Sequence, residues 1–279
     1  MKKLKIGMGQ LLVEGGEPER NLGRAQTMAK EAHEKGCDLL LLPETLDFGW
    51  THPSSLSGAE PIPGRFSDRI CELARESHLY VCAGLTERSG DQRFNAALLV
   101  DPGGQILLKY HKINLLTVEQ PFYSVGQSLS VVDTEFGKIG VNICADNYVD
   151  GLPIGHALAR MGAQLILSPS SWTVDYSIDE TEDPYKEKWI KPYTLLARLY
   201  DLVIVGATSV GYIVGGPYEG KKMVGCSLAV DKKGVVARGK FNEFAGDLVM
   251  ADISVPDRLE KGTAIGERLK KLGCDFSAS

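Results

Sequence analysis

The chain has 279 residues, 43% of them hydrophobic, and a net charge of −5 from 31 basic and 36 acidic side chains. That is apolar material for one large domain or two small ones. No basic cluster follows a phosphate backbone, which argues against nucleic acid, and no apolar run reaches the ~20 residues of a membrane span.

The N-terminal residues Met1-Lys2-Lys3-Leu4-Lys5-Ile6 lead directly into a strand pattern over 4–13, with no apolar leader and cleavage site, so a cytoplasmic protein is expected. Gly15-Gly16-Glu17-Pro18 reads as a turn. Leu22, Ala25, Met28 and Ala32 recur at helical spacing and predict an amphipathic helix over 21–35, closed by Gly36. A wholly apolar strand over 37–44 ends in Pro43 and Glu44; such a run suits a strand covered on both faces. The unit returns as a helix over 66–78 and a strand over 79–87. Strands over 94–101 and 105–112 flank the turn Pro102-Gly103-Gly104, and strands over 129–133 and 138–144 flank Glu135-Phe136-Gly137. A helix over 155–161, a strand over 163–169, an acidic loop over 175–186, a helix over 189–200 and a strand over 202–209 follow. A hairpin over 225–230 and 234–239, a last strand over 248–253 and a charged tail over 256–279 complete the chain. Strands alternate with helices in two similar halves with no linker between them, which predicts one α/β domain over 1–255 with two sheets and helices outside.

The six cysteines, Cys37, Cys71, Cys82, Cys144, Cys226 and Cys274, are scattered, with no C-x-x-C pair. Reduced thiols fit this better than a disulfide framework, and no zinc spacing exists among the cysteines and histidines, so no metal is expected. Three strand ends carry complementary polar groups: Glu44, Lys112 and Cys144. Functional residues gather at strand ends, where loops form a crevice. Each has a bland reading on its own. A free cysteine usually packs as a small hydrophobe, and a lone Glu or Lys usually faces solvent. Together they make a working set. A thiol is mostly protonated at neutral pH, a carboxylate among apolar neighbours (Leu41, Leu42, Leu46, Phe48) can take its proton, and an ammonium can hold an oxyanion.

Leu42-Pro43-Glu44, the strand and turn Asn95-Ala96-Ala97-Leu98-Leu99-Val100-Asp101-Pro102-Gly103-Gly104, Tyr110-His111-Lys112 and Gly140-Val141-Asn142-Ile143-Cys144-Ala145-Asp146 occur in this order. With Ser168-Pro169-Ser170, Ala197-Arg198 and Gly225-Cys226-Ser227 further on, the chain resembles the nitrilase, or carbon–nitrogen hydrolase, superfamily over nearly its whole length, from Lys5 to about Ser254. The resemblance implies a four-layer α-β-β-α sandwich with two mixed β-sheets and hydrolysis of a non-peptide C–N bond without a cofactor. It implies Cys144 as nucleophile, Glu44 as general base and acid, Lys112 as oxyanion stabiliser and the Ala145 N–H as second oxyanion donor. Glu119 falls where members often carry a second glutamate that orients the lysine or the substrate. A homodimer or larger homo-oligomer is implied as well.

The expected substrate is a small or aromatic primary amide, with nitriles and N-carbamoyl compounds as alternatives and a catalytically silent binding protein as the different-class reading. Tyr148 stands where an arginine is common, which disfavours substrates with a carboxylate beside the reacting carbon. Trp50, Tyr148 and Trp172 follow the three blocks as candidate pocket residues, with core packing as the competing use. Cys226, where histidine is common, reads as core, and the loop over 175–186 as a lid or an exposed loop.

Overall fold

The computed structural model describes residues 1–179 and 186–257, of 186 and 187 the backbone only. The predicted tail beyond Asp257 and part of the acidic loop lie outside the described residues. In the first half the elements are β1 (Lys2–Gln10), α1 (Pro18–Glu34), β2 (Leu39–Leu41), α2 (Ser55–Gly58), α3 (Arg65–Ser77), β3 (Tyr80–Ser89), β4 (Gln92–Val100) and β5 (Ile106–His111). The second half has β6 (Val131–Thr134), β7 (Gly137–Val141), α4 (Leu152–Arg160), β8 (Leu165–Ser170), β9 (Thr173–Val174), α5 (Lys191–Tyr200) and β10 (Val203–Thr208). Then come β11 (Val210–Tyr212), β12 (Lys222–Val224), β13 (Leu228–Asp231), β14 (Gly234–Arg238) and β15 (Asp247–Val255).

Two six-stranded sheets run in the orders β15-β1-β2-β3-β4-β5 and β14-β13-β10-β8-β7-β6. From β15 and from β6 the pairings read alike: antiparallel, parallel, parallel, antiparallel, antiparallel. The two similar halves expected from sequence are these sheets. Strand periodicity sorts the first sheet's side chains into two layers. Leu39, Leu41, Cys82, Ala97 and Leu99 join the core shared with Ile139, Val141 and Val205 of the second sheet. Leu40, Leu42, Val81, Leu98 and Val100 pack outward with Leu22, Ala25 and Met28 of α1 and Ile70 and Leu73 of α3. Leu158 of α4 and Leu196 of α5 pack with the second sheet, completing four layers, α-β-β-α.

Several boundaries differ from expectation. Helix α1 starts three residues early, at Pro18, because proline at the first helical position lacks only an N–H that would have no partner there. The strand predicted over 138–144 leaves the ladder after Val141, and Cys144 opens a short 3₁₀ turn. β3 and β4 form a tight hairpin of nine paired residues around Gly90 and Asp91 that was not foreseen as one. The small sheet β11-β12-β9 was also missed, because strands of two or three residues are too short to show a period.

Candidate active site

Glu44 lies three residues beyond β2, where Pro43 cannot continue the ladder. Its backbone N–H donates to the Ser170 carbonyl at the end of β8 (3.3 Å), so it stands where the two sheets meet. Gly84 of β3 makes this possible. A Cβ there would lie 2.5 Å from Glu44 Cα and 2.7 Å from the Thr45 nitrogen. Lys112 follows β5 directly; its N–H donates to the Asn95 carbonyl (2.9 Å) and its carbonyl accepts from Gly126 (2.9 Å).

Cys144 sits at a corner held from several sides. Its φ is +46°, a left-handed conformation that a non-glycine residue keeps only when its surroundings impose it. The Asp146 carboxylate accepts from the Ile143 N–H (2.9 Å), the Asn114 N–H (2.9 Å) and the Tyr110 hydroxyl (2.8 Å). That carboxylate stitches the cysteine corner to the segment carrying Lys112. The Cys144 N–H donates to Ser168 Oγ (3.2 Å), which also accepts from Asn147 Nδ2 (2.8 Å). Asn142 and Asn147 pair amide to amide at 2.8 and 2.9 Å.

Four groups meet in the interior: Glu44, Lys112, Cys144 and Glu119, none more than 3% exposed. Lys112 Nζ donates to Glu44 Oε1 (2.8 Å) and to both Glu119 oxygens (2.9 and 3.0 Å). Trp50 Nε1 (2.9 Å) and the Leu116 N–H (2.9 Å) also donate to Glu119. Burial lowers the proton affinity of Lys112, but the Glu119 and Glu44 carboxylates outweigh it and keep the ammonium charged well beyond the usual lysine range. Burial raises Glu44 above the ordinary carboxylate range, against the pull of Lys112. Burial also pushes the Cys144 thiol well up, helped by the Glu44 charge and opposed by Lys112 and the Ser171 N–H. A thiol held neutral thus lies near a carboxylate whose proton affinity is raised, a donor and an acceptor suited to general-base transfer.

The candidate pocket aromatics occupy different places. Trp50 is tied to Glu119 and meets Tyr218 edge-on (5.2 Å between centroids). Trp172 is buried and stacks on Trp189 at 4.3 Å and 20°. Tyr148 packs against Trp189 at 4.9 Å, with Lys188 Nζ 5.6 Å from its ring centre. Cys226 is buried, as expected of a core thiol, and the five described cysteines are all free.

With this geometry in place, comparison with known proteins adds a lineage. The sequence model of the family described as Carbon-nitrogen hydrolase matches residues 5–258. The chain belongs to the carbon–nitrogen hydrolase family. Among its relatives, a nitrilase from Pyrococcus abyssi is 34% identical over 58% of this chain and 62% of its own length. An omega-amidase from Danio rerio is 30% identical over 62% of this chain and 65% of its own length. These alignments thus span less than two thirds of each relative. In structure, an amidase from Nesterenkonia sp. superposes over 97% of this chain and 96% of its own with a TM-score of 0.77 at 21% identity. One variant of that amidase carries the acetamide moiety of fluoroacetamide covalently on its active-site cysteine.

The structure brings Glu44, Lys112, Cys144 and Glu119 together. Sequence reasoning missed the corner network of Asn142, Asn147 and Ser168, the stacked Trp189, and the Ser171 N–H. One signal was available for the network. Asn142 and Ser168 are polar residues inside otherwise apolar strands, and a buried polar group needs partners.

Proposed function

We propose that this carbon–nitrogen hydrolase is an amidase that converts a small or aromatic primary amide to its acid and ammonia through a thioester on Cys144. The observation that carries the reading is the fully buried Lys112, bonded to Glu44 and Glu119 together beside the strained Cys144 corner. Cys144 Sγ attacks the amide carbon while its proton passes to Glu44. The oxyanion is held by Lys112 Nζ and the Ala145 N–H. Glu44 then gives that proton to the leaving nitrogen, the C–N bond breaks and ammonia departs. A water attacks the thioester as Glu44 takes its proton, and collapse returns the thiol. Glu119 holds Lys112 in place.

Tyr148, Trp172 and Trp50 form the apolar side of the proposed substrate site. Amide over nitrile is supported by the amidase relatives and by complexes of the Nesterenkonia enzyme with acrylamide and butyramide. The chain is also proposed to act as a cytoplasmic homodimer. Leu195 and Leu199, apolar residues more than half exposed on α5, support the dimer. No described helix is long and apolar enough to cross a membrane.

The test is ammonia release from matched amides and nitriles, with intact mass of the Glu44→Gln variant after substrate. The expected result is amide turnover and an acyl mass mapped to Cys144. Turnover of nitriles alone replaces the amidase reading with the nitrilase one. No adduct and no turnover with amides, nitriles or N-carbamoyl compounds leaves the silent binding protein.

A further inference from the structure

The two buried glutamates differ in how their oxygens are used. Glu119 Oε1 accepts from Lys112 Nζ (2.9 Å), Trp50 Nε1 (2.9 Å) and Asn95 Nδ2 (3.2 Å), and Oε2 from the Leu116 N–H and Lys112. Both its oxygens are saturated by donors. Glu44 Oε1 accepts from Asn95 Nδ2 (2.6 Å) and Lys112 Nζ (2.8 Å), whereas Glu44 Oε2 is buried with no hydrogen-bond partner among the described residues.

Asn95 is the group common to both carboxylates. Its NH₂ carries two hydrogens and spans two acceptors, Glu44 Oε1 and Glu119 Oε1. The amide cannot be turned over, because its oxygen would then face both carboxylates. That oxygen, Oδ1, is itself buried without a partner among the described residues, so the amide is oriented by the acid pair. The Asn95 backbone carbonyl also accepts the Lys112 N–H, so one residue of β4 fixes three members of the site.

We propose that Asn95 is a positioning residue that separates the roles of the two glutamates: it pins Glu44 by Oε1, leaves Oε2 as the oxygen that takes the thiol proton, and helps keep Glu119 as the fixed anchor of Lys112. This rests on the reading of Cys144, Glu44 and Lys112 as the reacting groups. The hydrogen bonds of Asn95 go to Glu44, Glu119 and Lys112. It acts through Glu44, so its loss changes the protonation behaviour of the base more than the binding of substrate. A carboxylate that loses a donor to its ionised form holds its proton more tightly.

The experiment uses the full chain with Asn95→Leu, which removes both donors at similar size, and Asn95→Ser, which keeps one hydroxyl donor. The readouts are kcat and KM against pH, and the pH dependence of Cys144 alkylation by iodoacetamide, followed on the Cys144 peptide by mass. For Asn95→Leu, kcat/KM falls by about 10²-fold through kcat, the general-base range. The acid limb of both profiles moves to higher pH, and Asn95→Ser lies between Asn95→Leu and the wild type. An acid limb left in place in folded variants, a loss through KM alone, or failure of both variants to fold overturns the proposal. If Glu44→Gln leaves the wild-type alkylation profile unchanged, it is the assignment of Glu44 as base that falls.

Discussion

Among the four ionisable groups of the site, Lys112 alone supplies positive charge, and its place between Glu44 and Glu119 makes two buried carboxylates tolerable. Lys112→Met keeps much of the side-chain length and removes the charge. Taking one partner out of a buried ion pair costs about 3–5 kcal/mol, because the remaining charge has neither water nor a counter-ion. The sign of the pH dependence follows. Without the ammonium, the folded pKa of Glu44, already raised by burial, rises further above its unfolded value, so its protonated form favours the fold. Stability is then greatest below the unfolded glutamate pKa and is lost as pH rises through the folded one. Thermal unfolding should show a larger deficit of Lys112→Met against the wild type at pH 7.5 than at pH 5. A deficit equal at both pH values would mean that lost packing, not charge, dominates. Ammonia release should fall by about 10²-fold or more, the range for losing an oxyanion donor.

At the scale of elements, three corners carry the proposed chemistry: the exit of β2, the exit of β5 and the turn after β7. Glu44, Lys112 and Cys144 were legible in the sequence because each lies where an apolar strand meets polar residues, whereas Glu119, in the turn over Thr117–Glu119, was reached only through the family resemblance. The second layer was not. Asn95, Asn147 and Ser168 act through partners 21 to 51 residues away, and no local period encodes such pairings. The corner backbones depend on close approaches that sequence hides equally well, as at Gly84. Gly84→Ala adds one methyl group that must displace the Glu44–Thr45 backbone, an intrusion that neighbouring side chains cannot absorb. Overpacking of this kind costs about 1–3 kcal/mol. Because the displaced atoms carry Glu44, activity should fall far more than stability, by tenfold or more in kcat with a melting temperature lowered by only a few degrees. Ammonia-release kinetics beside a thermal melt check it, and an active, merely less stable Gly84→Ala would show that the approach is structural alone.

At the scale of the molecule, the identical pairing order of the two sheets hides an asymmetry of connection. Five strands of the first sheet come from the first 111 residues, but its edge strand β15 comes from the end of the described chain. β15 pairs antiparallel with all nine residues of β1 and buries Leu248, Ala251, Ile253 and Val255. Leu248 packs with α1 on one face, while Ala251, Ile253 and Val255 enter the core between the sheets. Burial of Leu, Ile and Val side chains contributes about 1.5–3 kcal/mol each, so β15 supplies a share comparable to the 5–15 kcal/mol by which whole domains are stable. Its loss would also open the β1 edge, a template for pairing between chains. We propose the domain boundary at the end of this strand. A chain ending at Gly246 should be insoluble or lack a cooperative melt. One ending at Asp257 retains all of β15 and should melt within a few degrees of the full chain and release ammonia at its rate. Light scattering and calorimetry on the two truncations decide the point: a folded, active chain without β15 would make this strand an accessory to the sandwich, and an unfolded chain ending at Asp257 would move the boundary beyond it.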